Sequence, residues 1–269
     1  MKIAYVEWPE GLVPGTGIWD AIRDSLRLAA PDILVTNEMP FGPWLAASAA
    51  FDRDQANDSV LRHEDGVHAL AALGIPLVIS SRPRWAGERL ANEAFALRAG
   101  HYLPLHQKHY FPDEPGWYEA AWFQTAMPGF DVVALDGLRV GVLLCTEAMF
   151  NERARLYGLQ GADLIAVPRA TGESLDAWRT ACEMAAVVSG SYVVSANRVG
   201  RQGDSPRFGG HGLAYMPGGG VIGETSTLCA MNTFILDVAK AREAKQHYPC
   251  YVFGKLSVPA AGRSTPHAY

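Results

Sequence analysis

The residue with the clearest chemical potential is Cys145, which follows the apolar run Leu138–Leu144. The run has the pattern of a buried strand, and the segment Asn151–Tyr157 after the cysteine has a helical pattern. A thiol held at a strand-to-helix turn lies beside backbone N–H groups, and α/β proteins often place a nucleophile there. A free cysteine is also commonly a small buried apolar residue, so position alone leaves its role open.

Three ionisable residues precede this cysteine at positions that suit a catalytic centre. Glu38 closes the buried strand predicted over Asp32–Asn37, where loss of solvent raises the pKa of a carboxyl group towards that of a working base. Lys108 follows another predicted strand, and Glu119 lies in a loop rich in aromatic residues. Taken singly, each has an ordinary alternative: a solvated loop glutamate, a surface lysine, and a glutamate paired with a nearby arginine.

The elements that would position these residues alternate between strand and helix in two similar halves. In the first half, the periodicity predicts strands at Lys2–Glu7, Asp32–Asn37 and Pro76–Ser81, helices at Trp19–Ala29 and within Asp54–Leu73, and a hairpin of Asn92–Leu97 with His101–Leu105. In the second half, it predicts strands at Asp131–Leu135, Leu138–Leu144, Asp163–Val167, Ser191–Ala196, His211–Met216, Val221–Glu224 and Thr233–Val238, and helices at Glu152–Gln160 and across Leu175–Val188. Apolar strands with amphipathic helices predict two sheets covered by helices.

The chain shows no linker or break in composition, so we predict one domain over residues 1–238 and a C-terminal tail over residues 239–269. A short helix is expected near the start of the tail. The tail also carries large apolar side chains that must be buried somewhere: Tyr248, Tyr251, Val252, Phe253 and Leu256. They can pack on their own domain or across a subunit interface.

Composition excludes several classes of protein. With 269 residues, 49% of them hydrophobic and 19% charged, the chain can build a sizeable core and does not have the composition of a disordered protein. A net charge of -5 without a basic stripe argues against binding to nucleic acid.

The N-terminus reads as a strand rather than a signal peptide, and no apolar run approaches the length of about 18 residues needed for a transmembrane helix. Four scattered cysteines indicate reduced thiols in a cytoplasm: Cys145, Cys182, Cys229 and Cys250.

The order of four residues resembles that of the nitrilase, or carbon–nitrogen hydrolase, superfamily: Glu38, Lys108, Glu119 and Cys145. Members of that superfamily have a lysine followed by histidine, as in Lys108-His109, and a Cys-x-Asp/Glu-x-x-Phe-x-Glu segment, matched here by residues 145–152. Glu119 and Phe123 match a Glu-x-x-x-Phe loop of the superfamily. The resemblance extends from Lys2 to about Val238, and it implies an αββα sandwich of two packed mixed sheets.

The resemblance also implies an activity, the hydrolysis of a small amide or N-carbamoyl compound through a thioester on Cys145, without a metal or cofactor. Glu38 would be the proton acceptor, and Lys108 and the backbone N–H of Thr146 would stabilise the oxyanion. Glu119 would orient Lys108 and balance its charge. A buried lysine beside two carboxylates stays protonated, as the oxyanion role requires.

Departures from the superfamily pattern affect the predicted pocket wall and leave the substrate open. Thr146-Glu147 stands where many members have Tyr-Asp, and Arg169 follows a strand end where many have a small or polar residue. Arg169 can bind a substrate carboxylate or make a structural ion pair. Five aromatic residues near the catalytic positions can line the pocket or belong to the core: Phe41, Trp44, Trp117, Trp122 and Phe150. We predict substrate contacts for Trp44, Trp117, Phe150 and Arg169.

Other functions are compatible with the same residues, both among enzymes and among proteins without activity. A nitrilase proper or an N-acyltransferase would use the same cysteine, glutamate and lysine, and an inactive binding protein could keep the fold. His106 and His109 are three residues apart, but no third ligand stands out, so we predict no metal site. Because the family is usually at least dimeric, we expect a homo-oligomer acting on a small molecule, with neither nucleic acid nor membrane as a partner.

Overall fold

A computed structural model describes residues 1–252 and contains two β-sheets that share one buried core. The strands are β1 (Lys2–Pro9), β2 (Ile33–Val35), β3 (Leu77–Ala86), β4 (Arg89–Arg98), β5 (His101–Gln107), β6 (Val133–Leu135), β7 (Leu138–Val142), β8 (Leu164–Arg169), β9 (Tyr192–Gly200), β10 (Phe208–Gly209), β11 (Leu213–Tyr215), β12 (Val221–Glu224) and β13 (Met231–Ile235). The helices are α1 (Gly17–Ala29), α2 (Arg53–Ala71), α3 (Glu119–Trp122), α4 (Asn151–Leu159), α5 (Asp176–Ser189) and α6 (Val238–Ala244). Short 3-10 turns cover Leu45–Ala47 and Cys145–Met149.

Each sheet combines a parallel centre with antiparallel strands. In the first sheet, β1, β2 and β3 are parallel, while β4, β5 and β13 are antiparallel additions. In the second sheet, β7, β8 and β9 are parallel, and β6, β10 and β11 pair antiparallel with them. The sheets are joined where Glu7–Pro9 of β1 pairs with Asn197–Val199 of β9.

Helices cover the outer faces of these sheets. One continuous cluster of buried apolar residues includes Leu34 and Ile79 from the first sheet and Val140 and Val194 from the second. The same cluster takes in Leu70 of α2. A separate cluster joins α4 and α5 to the second sheet through residues that include Tyr157, Cys182, Ile165 and Val167. The predicted αββα sandwich is therefore confirmed.

Two local expectations differ from the structure. The β3–β4 hairpin continues to Ala86 and Arg89, well beyond the strand end expected at Ser81. Arginines that are not buried alternate with other residues in this extension, so it lacks the apolar pattern that marks a strand. The expected loop at Glu119 is also wrong, because this residue begins the one-turn helix α3. A helix of four residues is too short to show a helical repeat.

The start of the predicted tail packs on the domain. Ala241 of α6 is buried in the main core, and Lys245 donates to the carbonyl oxygen of Gly190 at 3.0 Å. Tyr251 and Val252 are exposed, while Phe253 and Leu256 lie outside the described residues. The subunit interface suggested for this tail stays a prediction. Over residues 1–252, no helix combines the length and apolar character that crossing a membrane requires.

Candidate active site

The carboxyl ends of parallel strands from both sheets meet at one edge of the sandwich. Glu38 lies three residues after β2, and its backbone N–H donates to the carbonyl oxygen of Arg169, the last residue of β8, at 3.1 Å. Cys145 lies three residues after β7. Open α/β sheets bind ligands at such an edge because loops, rather than strands, leave it. The two sheets thus supply the proposed base and nucleophile from one end of the sandwich.

Cys145 occupies a strained turn. Its φ is +49°, a left-handed conformation that costs a residue with a side chain free energy and that often marks a functional position. The thiol is buried, and its sulfur lies 3.9 Å from the carbonyl oxygen of Ala170. Burial raises the pKa of this thiol far above its ordinary value, Glu38 adds to the effect, and Lys108 opposes it. At rest the thiol is therefore protonated and needs a base.

Lys108 joins the two predicted carboxylates. It follows β5, and its backbone N–H donates to the carbonyl oxygen of Asn92 at 3.0 Å. Its fully buried ammonium group donates to Oε1 of Glu38 at 2.9 Å and to Oε2 of Glu119 at 2.6 Å. Burial alone would lower the pKa of Lys108, but Glu119 and Glu38 outweigh burial and hold that pKa above its usual value. The lysine is consequently a permanent cation.

The two carboxylates that flank Lys108 carry one charge more than the single cation can balance. Burial raises the pKa of Glu119 to about 7, against the lowering effect of Lys108, and the charge of Glu38 adds to the increase. A proton therefore binds to this cluster near neutral pH, and the titration belongs to the interacting group rather than to Glu119 alone.

Two residues that the sequence did not indicate hold Glu38 and its loop. Asn92 of β4 is fully buried and donates from Nδ2 to Oε1 of Glu38 at 2.7 Å. Arg198 of β9 is paired with Glu10 and donates to the carbonyl oxygens of Met39 and Gly42. Met39 itself has a φ of +42°. The only signal in the sequence was a polar residue within an apolar strand, which does not reveal its partner.

Glu147 connects the cysteine turn with the lysine loop. Its Oε2 accepts from the backbone N–H of Leu144 at 2.8 Å and contacts Nε2 of His106 at 2.7 Å, and its Oε1 accepts from the N–H of His109 at 2.7 Å. The spacing of the histidines indicated no third metal ligand, but the structure places Glu147 beside His106 and His109, close enough for the three side chains to hold a metal ion. Nδ1 of His106 accepts from the N–H of Phe130, so Nε2 carries the proton and donates to Glu147. The hydrogen bonds of Glu147 and His106 therefore explain why these side chains lie together.

The cavity beside Thr146, the residue after the cysteine, is lined by aromatic and acidic side chains. A cavity of about 680 Å³ lies next to Thr146, with walls that include Tyr110, Phe111, Asp113 and Phe150. Phe150 is partly exposed and stacks on Tyr110 at a centroid distance of 4.1 Å. A slightly larger apolar cavity of about 730 Å³ lies between α1 and β1 and contacts none of the predicted catalytic residues.

The remaining predicted pocket residues are mostly enclosed. Trp44 is buried, donates to the carbonyl oxygen of Gly116 at 3.1 Å, and packs edge-to-face on Trp117. Arg169 is fully buried, and its guanidinium donates to Ser195 at 2.6 Å and, at the same distance, to the carbonyl oxygen of His211. No acidic side chain of residues 1–252 contacts its guanidinium, so the structural ion pair considered for Arg169 is wrong. The substrate contacts of these residues stay predictions.

Phe41 and Trp122 belong to the packed interior. Phe41 lies in the main core against Trp8 and His63, and Trp122 packs with Phe51 and donates to the carbonyl oxygen of Ser48 at 2.7 Å. Both side chains are fully buried. They therefore build the support beneath the site rather than its open wall.

Comparison with known proteins agrees with the geometry. The profile of the family described as carbon-nitrogen hydrolase matches residues 65–246. The chain belongs to the carbon–nitrogen hydrolase family. The matched segment contains Lys108, Glu119 and Cys145, while Glu38 precedes it.

A curated protein shares part of the sequence, and solved structures share the fold. An N-carbamoylputrescine amidase from Solanum tuberosum is 30% identical over 136 residues, which cover 48% of this chain and 45% of the relative. The chain thus spans less than half the length of this curated relative. A carbon-nitrogen hydrolase from Helicobacter pylori G27 superposes with a TM-score of 0.83 at 19% identity, covering 93% of this chain and 94% of the other.

A second solved structure is an amidase from Nesterenkonia sp. AN1. It superposes with a TM-score of 0.75 at 22% identity and covers 90% of this chain and 92% of the amidase. That structure shows covalent addition of the acetamide moiety of fluoroacetamide at the active-site cysteine of the amidase. At this level of identity the two similarities establish the shared fold.

Proposed function

We propose that this chain hydrolyses a C–N bond in a small amide or N-carbamoyl compound through a thioester on Cys145. The observation that carries the proposal is the fully buried Lys108 ammonium, which contacts Glu38 and Glu119 together at the edge that also presents the cysteine. Such a permanent cation stabilises negative charge that develops on a substrate oxygen, and a donor of this kind contributes roughly 3 kcal/mol to the transition state.

In the first half of the proposed reaction, Glu38 accepts the thiol proton as the sulfur of Cys145 attacks the carbonyl carbon. The C=O electron pair moves onto oxygen, where Lys108 and the N–H of Thr146 stabilise it. The first N–H groups of a helical turn have no acceptor within that turn, which suits Thr146 for this role. Collapse of the tetrahedral intermediate breaks the C–N bond, and Glu38 passes its proton to the departing nitrogen, leaving a thioester.

In the second half, a water molecule replaces the departed amine or ammonia. Glu38 removes a proton from this water, the resulting hydroxide attacks the thioester carbon, and the acid leaves as the sulfur regains a proton from Glu38. Glu38 is therefore a carboxylate at the beginning and at the end of each half. The high pKa of the thiol favours proton transfer during attack rather than a standing thiolate.

The proposal is tested by ammonia release from a panel of primary amides, N-carbamoyl amines and nitriles. N-carbamoyl amines come first because they are the class that the name of the Solanum tuberosum relative indicates. We expect turnover of an amide or carbamoyl compound and a thioester adduct on Cys145 in the intact mass. Cys145→Ala should release no ammonia while keeping the wild-type circular dichroism spectrum. Turnover by that variant, or none by the wild type on any amide, would contradict the proposal.

We also propose that the protein works in the cytoplasm as a homo-oligomer. All four cysteines lie in the described part of the chain and are free thiols, as a reducing compartment allows. Several large apolar side chains are at least two-fifths exposed and would gain from burial in an interface: Met184, Val221, Leu228, Ile235 and Tyr251. Sedimentation velocity should find a dimer or larger species, and a concentration-independent monomer would contradict this expectation.

A further inference from the structure

The two oxygens of the Glu38 carboxylate have different surroundings. Oε1 accepts from Nζ of Lys108 at 2.9 Å and from Nδ2 of Asn92 at 2.7 Å. Oε2 is buried and has no hydrogen-bond partner within residues 1–252. A buried carboxylate oxygen without a donor is costly, and such atoms in a folded protein usually have a functional reason.

Asn92 is anchored so that it can hold only one of these oxygens. It lies in β4 opposite Pro83 of β3, and its carbonyl oxygen accepts from the N–H of Lys108. Its side chain is fully buried, and its Oδ1 has no partner among the described residues. Rotating the amide would place Oδ1 against the carboxylate of Glu38, and two acceptors repel one another. Chemistry therefore fixes Nδ2 as the group that faces Glu38.

We propose that Asn92 is a positioning residue that makes Oε2 of Glu38 the oxygen that accepts the Cys145 proton. The proposal rests on the proposed function, since it assigns a role within the same proton transfer. The terminal torsion of a glutamate is broad, so Lys108 alone would let the plane of the carboxylate rotate and would share its donor between the two oxygens. With two donors on one oxygen, the plane of the carboxylate cannot rotate away without losing a hydrogen bond, and a half-turn only exchanges two equivalent oxygens and restores the same arrangement. Oε2 stays unneutralised and is the stronger proton acceptor.

The arrangement also separates two tasks that fall on one carboxylate. Oε1 shares the charge of Lys108 and keeps the cation in place for the oxyanion. Oε2 moves the proton from sulfur to the leaving nitrogen and later from water to sulfur. Removal of Asn92 should therefore slow both halves of the reaction and leave the affinity for substrate nearly unchanged.

Asn92→Leu is the principal test, because leucine has a similar size and no donor. We expect kcat to fall about 100-fold, as for other small misplacements of a reacting group, with KM changed less than 3-fold. The rate of Cys145 alkylation by a haloacetamide should fall in parallel, and the acidic limb of its pH profile should move to higher pH. Arg98→Gln, at the exposed far end of β4 where the arginine pairs with the exposed Asp136, is the control and should keep wild-type rates.

A second variant covers a failure of Asn92→Leu to fold. Asn92→Asp keeps the shape of the side chain and donates only when it is protonated, so its alkylation rate relative to wild type should recover as the pH falls. Wild-type kcat and alkylation in either folded variant, or an effect on KM alone, would overturn the positioning role. Failure of the proposed function would instead appear as a wild-type protein that turns over no amide.

Discussion

The carboxylate of Glu147 accepts a hydrogen bond of 2.7 Å from the backbone N–H of His109. Glu147 follows the proposed nucleophile Cys145 by two positions, and His109 directly follows the proposed oxyanion donor Lys108. The same carboxylate accepts from the N–H of Leu144 at 2.8 Å. One buried side chain therefore sets the distance between the nucleophile turn and the lysine loop.

Glu147→Gln should damage both stability and turnover. The carboxylate accepts from three donors, and an amide has one oxygen to offer them, so at least one buried donor loses its partner. We expect the free energy of unfolding to fall by about 2 kcal/mol, measured by urea denaturation, and kcat to fall with it. Glu152→Gln, an exposed position of the same segment, is the control and should change stability by less than about 0.5 kcal/mol. A Glu147→Gln protein with wild-type stability would contradict the bridging role.

The contrast between Cys145 and Asn92 shows how far sequence reasoning extends into this site. Cys145 could be predicted because the apolar residues of β7 and Leu144 mark the end of the strand before it, whereas β5 ends in His106 and Gln107 and Lys108 was indicated by the order of motifs. Asn92 could not be predicted as a partner of Glu38, because the two are separated by 54 positions and meet only through the packing of distant strands. Arg198 and Glu10 pair across 188 positions for the same reason.

The layers of the fold were predictable for a different reason. Burial on one face leaves a repeat of 2 in strands and 3.6 in helices, and burial on both faces leaves a continuous apolar run, as in β8; these patterns located most of the elements. The repeat disappears where side chains are not buried, as in Arg82 and Arg84 of β3, or where an element has one turn, as in α3. Side-chain partners leave no repeat, so the ion-pair network around Lys108 needed either a family resemblance or the structure.

The acidic limb of activity should have its midpoint near pH 7. Burial and the charge of Glu38 raise the pKa of Glu119 to about 7, so the cluster gains a proton as the pH falls through this value and loses the charge that supports Lys108. We expect kcat to fall below pH 7. In Glu119→Gln, kcat should be lower and the limb should move to lower pH, because a like charge beside Glu38 is gone. A limb that stays at pH 7 in this variant would show that another group titrates there.

Lys108→Met separates the catalytic role of the cation from its structural one. The substitution leaves Glu38 and Glu119 buried without a counterion, so the free energy of unfolding at neutral pH should fall by roughly 3–5 kcal/mol. We also expect kcat to fall at least about 100-fold. The double variant with Glu119→Gln removes one of the two charges and should recover stability without recovering turnover. Recovery of both in the double variant would mean that Lys108 acts on activity only through folding.

Acid sensitivity of the fold should depend on His63, a buried residue of α2 beneath the Glu38 loop. Its Nδ1 hydrogen-bonds the carbonyl oxygen of Ser59 at 2.8 Å, and its Nε2 accepts from the N–H of Phe41 at 3.3 Å. Burial lowers the pKa of His63 from 6.5 to about 4. His63 therefore binds a proton below pH 6.5 in the unfolded chain but only below about pH 4 in the folded chain. The free energy of unfolding consequently decreases as the pH falls from 6.5 to 4. The total loss is about 3 kcal/mol.

Urea denaturation at several pH values between 4 and 6.5 measures this contribution. His63→Gln keeps an acceptor for Phe41 and cannot take up a proton, so its free energy of unfolding should fall less steeply by up to about 1.4 kcal/mol per pH unit. His68→Gln, an exposed position of the same helix, is the control and should follow the wild-type slope. Parallel slopes for wild type and His63→Gln would mean that the buried imidazole is protonated in the folded chain already at pH 6.5. The hydrogen bond from Phe41 to Nε2 would then be impossible, since a protonated ring has no acceptor there.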